Sequence, residues 1–319
     1  FNTGYSSIGS LISGSYATGK VIGASYVGGL IGYNATYSTV NGSYATGDVE
    51  ATGYFVGGLV GQNTSYSNIG NTTASYATGN VTGAYYVGGL VGYNTNSTVT
   101  NSYTGIKTGS VITTKAGTVT GTTTNGYVGG LIGQNSSGAI SGSTASGDVV
   151  SSGDYTGGLI GQNSSSTISN SNSTISNSNS TGNVTATGKN YVGGLVGYNS
   201  SSAISGTTSA SGNIIGGNFT GGLVGYNQSS AISGTTSASG NVTGGNYTGG
   251  LVGYNSSSTI TGSTASGNIL GNQYVGGLVG FNGGNVDKTY SSGNVIGNQY
   301  VGGLVGGDEI DPARGEHLE

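Results

Sequence analysis

Apolar residues in this chain come in short bursts, such as Tyr26-Val27-Gly28-Gly29-Leu30-Ile31-Gly32, and never at helical spacing over a useful length. Gly, Asn and Ser separate the bursts. Short apolar runs bounded by such residues read as strands between turns, so helix is nearly absent from the prediction. The bursts also repeat. Gly-Gly-Leu-Val/Ile-Gly begins at Gly28, Gly57, Gly88, Gly129, Gly157, Gly193, Gly221, Gly249, Gly276 and Gly302, at spacings of 29, 31, 41, 28, 36, 28, 28, 27 and 26. An aromatic stands two residues before the first Gly in every copy, from Tyr26 and Phe55 to Tyr300. Asn stands six residues after it in nine copies, and the tenth has Asp308.

A second phrase, as in Tyr76-Ala77-Thr78-Gly79-Asn80-Val81, precedes the first in most units, and a third, Ile-Ser-Gly, begins at Ile140, Ile204 and Ile232. Each unit therefore holds about three strand-like runs. So small a unit buries its apolar groups only by stacking on copies of itself, which predicts an all-β fold, a parallel β-solenoid (β-helix) of about ten coils with roughly 28 residues per coil. Ten coils at a strand spacing of about 4.8 Å make a rod of about 48 Å. The two long intervals read as loops: Lys107 to Thr123 is an insertion, and Ser169 to Ser180 duplicates Ser-Thr-Ile-Ser-Asn.

Strict alternation places Tyr26, Gly28, Leu30 and Gly32 on one face and Val27, Gly29, Ile31 and Tyr33 on the other. Leu occurs in all ten copies, whereas the second face exchanges Val for Thr156, Thr220 and Thr248. The predicted core column is therefore Leu30, Leu59, Leu90, Leu131, Leu159, Leu195, Leu223, Leu251, Leu278 and Leu304. The flanking glycines leave room for an opposite wall, assigned to Ala17, Ala45, Ala77, Ala145, Ala210, Ala238 and Ala265. Stacking in register makes ladders: an Asn column bonded side chain to side chain and a column of stacked rings.

Composition narrows the function classes. Gly supplies 69 of 319 residues, charged residues only 5%, and Cys, Met and Trp are absent. Ordinary globular enzymes are not built this way. Residues 1–306 carry five Lys and five acids and are neutral, while the last dozen residues hold the whole net charge of -4. The predicted organisation is a repeat domain over 1–306 and an acidic tail over 307–319 that leaves the solenoid as a cap, a linker or the start of another domain. Neutrality argues against nucleic acid, and no apolar run approaches the length of a membrane span. The chain opens at Phe1 rather than Met, as a processed or excised piece would.

No catalytic, cofactor or metal site is expected. The only His is His317, and Asp48, Glu50, Asp148 and Asp154 read as solvated charges. Asn-x-Ser/Thr sequons at Asn34, Asn63, Asn135, Asn199 and Asn255 fall just after the pentad, where a turn would hold a glycan to solvent.

The ten pentads, with their upstream aromatic and downstream Asn, resemble the GLUG-motif repeats of secreted and cell-surface proteins. The resemblance covers most of residues 1–306. It implies an extracellular repeat region, in bacteria attached to large adhesins or surface peptidases, and no activity of its own. The leading expectation is thus a structural protein outside the cell, the rod of a surface filament or adhesin that self-associates. Phe1-Asn2 repeats the Phe281-Asn282 that follows a pentad, so Phe1 and Asn2 at one end would continue Val305 and Gly306 at the other, and such non-closing contacts make filaments. The alternatives are a module for surface glycans, with Tyr33, Tyr93, Tyr198, Tyr226 and Tyr254 as a platform for sugar rings, and an ice-binding face through Thr144, Ser209, Ser237 and Thr264.

Overall fold

The structure, a computed structural model, describes residues 2–3, 9–108, 111–165 and 174–309. They form the expected parallel β-solenoid, and among them no segment is helical. A full coil contains five short strands rather than three, for example Val27–Gly28, Ile31–Ala35, Thr39–Asn41, Tyr44–Ala45 and Val49–Ala51, although Val252–Thr261 and Val279–Asp287 each run through two of these positions as one strand. Equivalent strands stack into five parallel sheets of 11, 10, 7, 10 and 10 strands. The seven-stranded sheet reaches further coils through the bridges Ile204↔Ile232 and Ile232↔Ile260. Pairing joins equivalent residues throughout, as in Val60↔Val91 and Asn63↔Asn94.

The pentad is a corner, and this changes the assignment of faces. A bend at Gly29-Leu30 separates Val27–Gly28 from Ile31–Ala35 and resets the alternation. Residues on both sides of the bend therefore point inward, so Leu59, Val56 and Val60 are all fully buried. The expectation that only the Leu face is interior was wrong, because a period of two holds only within an unbroken strand. Thr156, Thr220 and Thr248, read as exterior, are buried too. Their hydroxyls donate to the carbonyls of Gly153, Gly217 and Gly245 at 3.1, 2.8 and 2.9 Å, which lets Thr stand where Val stands elsewhere.

The rod is thin at the corner. A Cβ on Gly58 would stand 3.0 Å from the Ala77 Cβ, and one on Gly222 3.0 Å from that of Ala238. The second Gly of six pentads, Gly29, Gly58, Gly130, Gly194, Gly222 and Gly250, thus faces the Cβ of an Ala of the wall, leaving little space for either side chain to grow, whereas Gly303 at the rod's end faces open space. Two columns of apolar residues, one of Leu and Val/Ile from the pentads and one of Ile and Val from the Ile-Ser strands, fill the larger interior. A smaller Val cluster, including Val49, Val56 and Val81, fills the other lobe.

The insertion is shorter than its sequence suggests. Ile106–Thr108 and Val111–Thr114 form an antiparallel pair, and Val119–Gly121 is already back in register between Val81–Gly83 and Val149–Ser151. In the duplicated phrase the second copy joins the sheet, with Ile175 between Ile140 and Ile204. Residues 166–173 lie outside the described residues. The last sheet strand is Val305–Asp308, so the solenoid takes in the first residues of the acidic segment, and 310–319, with His317, lie outside the description.

Candidate functional site

Eight of the core Leu, from Leu59 to Leu278, are fully buried. Leu30 is only partly buried, and Leu304, expected in the core, is 40% exposed, because each ends its column. The Asn column runs beside them. Asn34, Asn63, Asn94, Asn135, Asn163, Asn199, Asn227 and Asn255 have no exposure at all. Each Nδ2 donates to the Oδ1 of the next coil, as in Asn34 to Asn63 at 2.7 Å and Asn199 to Asn227 at 2.9 Å. The glycan expectation fails here. The strand after the pentad carries Asn34, Asn63, Asn135, Asn199 and Asn255 inward, and the acceptor nitrogen of each is enclosed and already committed to the column.

A second Asn column runs outside, one residue before the inward Val of the Thr-Gly-Asn-Val phrase. There Oδ1 accepts from the main-chain N–H of the equivalent residue in the following coil: Asn183 from Asn213 at 2.9 Å, Asn213 from Asn241 at 3.0 Å and Asn241 from Asn268 at 2.9 Å. Asp48 and Asp148 occupy the same column and accept from Asn80 and Asn183 at 2.8 and 2.7 Å. Sequence reading missed this column. Its signal was the Asn or Asp preceding Val49, Val81, Val149 and Val184.

Aromatic columns line the outside. The residue two before each pentad stacks on its equivalents: Tyr191 on Phe219 at 5.1 Å and 5°, Phe219 on Tyr247 at 5.0 Å and 3°, Tyr247 on Tyr274 at 5.1 Å and 1°. The Tyr198–Tyr226–Tyr254–Phe281 column packs edge-on against it, for example Phe219 against Tyr226 at 76°. Neighbours within each column thus cover the ring faces, and a sugar-stacking platform needs open faces. Burial, followed by the neighbouring phenols, raises the phenol pKa of Tyr86 and Tyr155. Tyr26, Phe55, Tyr86, Tyr191, Phe219, Tyr247, Tyr274 and Tyr300 sit at φ between 49° and 59°, a left-handed conformation that bulky residues rarely adopt.

Four columns begin and end on the same residue type. Pairing places Tyr16 and Tyr290 at opposite ends of one column whose middle reads Thr144, Asn179, Ser209 and Ser237. Ile22 and Ile296 end another, with Thr185 and Thr243 between. Tyr26 and Tyr300 end the aromatic column, and Leu30 and Leu304 the Leu column. Ile22 is 71% and Ile296 62% exposed. Of the four residues expected at the ends, Asn2 pairs with Asn34, while Val305 pairs with Val279 and precedes Gly306 in the last strand. Phe1 lies outside the described residues.

Charge is sparse. Lys20 pairs with Glu50 and Lys115 with Asp148, both at 2.6 Å, and Asp154 accepts from the Asn190 N–H at 3.0 Å. Among the described residues no three His, Asp or Glu converge as metal ligands, and no helix is long and apolar enough to cross a membrane.

The family model of the GLUG motif matches residues 23–50, 83–105, 124–150, 244–270 and 271–296. Each match contains one pentad corner and spans about one coil. No curated protein and no solved structure matches the chain.

Proposed function

The chain is a GLUG-repeat protein whose fold fits an adhesin or structural role, and from that premise we propose that it is a non-catalytic extracellular rod whose copies stack end to end. The observation that carries the reading is the match between the end faces. Four columns begin and end on the same residue type, Tyr16 and Tyr290, Ile22 and Ile296, Tyr26 and Tyr300, and Leu30 and Leu304, and in the first two of them other types stand between; Leu11 and Asn285, and Ala17 and Ser291, do not match. At one end the edge strands are Leu11–Ser13, Tyr16–Ala17, Val21–Gly23 and Val27–Gly28, and at the other Tyr290–Ser291, Val295–Ile296 and Gln299–Gly302. Unpaired parallel edges are templates for another strand. A copy arriving in register would set Tyr16 on Tyr290 and Ile22 on Ile296, extending every sheet. The contact is heterologous and does not close, so it would build a filament.

Negative-stain images of the 319-residue chain, taken from acidic to neutral pH, test this. Rods of one constant width, with lengths in steps of about 48 Å, are expected. Ile22→Lys, which would set a charge against Ile296 at the joint, should shorten or abolish them while the monomer stays folded by circular dichroism. Particles of a single rod length at every pH, for the native chain and for the Asp308→Asn variant described below, would overturn the reading.

A further inference from the structure

The interior Asn column has a direction. From Asn2 to Asn282 each Nδ2 donates to the next coil, beginning with Asn2 to Asn34 at 2.7 Å and ending with Asn255 to Asn282 at 2.9 Å. Most of these nitrogens also donate to a main-chain carbonyl of their own turn: Asn94 to Ser97 at 2.9 Å, Asn135 to Gly138 at 2.7 Å and Asn199 to Ser202 at 2.8 Å. Only an NH2 group serves both acceptors. Reversing an amide would set its oxygen against a carbonyl oxygen, so the direction is locked. The two ends of the column therefore differ. Asn2 presents an acceptor outward, and whatever stands last must present a hydrogen if another coil is to follow.

Among the described residues the last member is Asp308. It accepts from Asn282 Nδ2 at 2.9 Å, is exposed, and as a carboxylate has no hydrogen to give. The exterior column shows what is particular here. Asp48 and Asp148 sit within that column because each member there need only accept a main-chain N–H, even though the Asn80 Nδ2 also donates to Asp48 at 3.1 Å, whereas inside the rod Asp stands only in last place.

We propose that Asp308 gates the stacking of one copy of this chain on the next. The proposal rests on the end-to-end reading above. With Asp308 ionised, the joint sets a carboxylate oxygen against the outward Oδ1 of Asn2 in the next copy, and both acceptors lose water without gaining a partner. With Asp308 protonated, its O–H donates to that Oδ1, its other oxygen keeps the Asn282 bond, and the column runs on unbroken. Among the described residues few charges neighbour Asp308. Glu309 follows Asp308 in the chain, Asp287 and Lys288 pair at 3.6 Å at the end of the adjacent strand, and Gln299–Gly302 carries no charge. The incoming face brings Lys20, already paired with Glu50.

Sedimentation velocity and electron microscopy of the native chain and of Asp308→Asn, at neutral pH and at about pH 3, below the ordinary carboxylate range, separate the outcomes. Asn supplies the missing hydrogen permanently. The native chain should be single rods at neutral pH and stacked rods in acid. The variant should stack at both, lowering the concentration for half-assembly at neutral pH by at least about tenfold, which corresponds to about 1.4 kcal/mol. Asp308→Ala, which can neither repel nor donate, should stack less than Asp308→Asn. If native chain and variant stack equally at neutral pH, the gate is wrong and end-to-end stacking stands. If the variant still needs acid, Glu309 or Asp287 is the controlling group and the gate is again wrong. If neither stacks anywhere, the end-to-end reading itself has failed. Thermal unfolding of each variant confirms that the rod is intact.

Discussion

Asn199 and Asn213 are near neighbours in sequence, and each belongs to a column that climbs the rod, yet they bond in different ways. Asn199 is enclosed, and its NH2 group serves both Asn227 and the Ser202 carbonyl. Asn213 is exposed and only accepts, from the Asn241 N–H. The interior column needs a side chain with both a donor and an acceptor, because no water can replace a missing partner. The exterior column needs an acceptor alone, so Asp48, Asp148 and Asn213 are equivalent there. A repeated residue type thus reports a ladder, and which substitutes it tolerates reports whether the ladder is wet or dry.

The sharpest way to break this comparison is to make one change in both columns. Asn199→Asp removes the donor to Asn227 and buries a charge, and should cost about 3–5 kcal/mol in denaturant unfolding. Asn213→Asp repeats what Asp148 already does, so its effect should lie within about 0.5 kcal/mol. Similar losses for the two would show that the columns are not distinct.

The aromatic column offers a smaller test, in which strain opposes stacking. Tyr247 stacks on Phe219 and Tyr274 while holding φ at 58°. Tyr247→Ala loses the ring and keeps a Cβ in the left-handed region, so a loss of about 1–2 kcal/mol is expected. Tyr247→Gly loses the same ring but relieves the backbone, and should be more stable than the Ala variant by about 1 kcal/mol. The opposite order would mean that the left-handed conformation carries no strain. Half-buried tyrosines elsewhere on the rod set an alkaline limit. Burial raises the phenol pKa of Tyr76, Tyr86, Tyr103, Tyr127, Tyr155, Tyr191, Tyr198 and Tyr254. Tyrosines of the unfolded chain ionise first, near pH 10, so stability is complete below that pH and is lost as pH rises through the higher folded values. Melting temperature should be flat across neutral pH and fall above about pH 10; a continued plateau would contradict this.

The interior also contains its own exception. Ser180 stands in the Ala wall between Ala145 and Ala210, and its buried Oγ has no hydrogen-bond partner among the described residues. Ser180→Ala should therefore stabilise the rod, by about 1 kcal/mol in the same unfolding assay. A loss would mean that the hydroxyl is satisfied in solution.

Much of this was legible in sequence because stacking in register converts a period into a column. The ten Leu, the Ala wall opposite the pentad glycines and the bonded Asn ladder all follow from spacing alone. What spacing does not carry is the corner. Two-residue strands broken by bends restart the inside–outside alternation, so Val27 and Ile31 turn inward beside Leu30, and Asn34 turns inward where a solvent-facing turn was expected. Nor does it carry backbone direction: nothing in the letters places Tyr26 at positive φ. Asp308 was visible as the one departure from Asn, but its meaning depends on which way the amides point.

Hydrogen exchange of the Asn side-chain amides, followed by NMR, tests the dry ladder most directly. Both Nδ2 hydrogens of Asn135, Asn199 and Asn227 should exchange only when the rod unfolds, while those of Asn213 and Asn241 exchange freely at the surface. Equal, rapid exchange in the two sets would contradict an enclosed, directional Asn column.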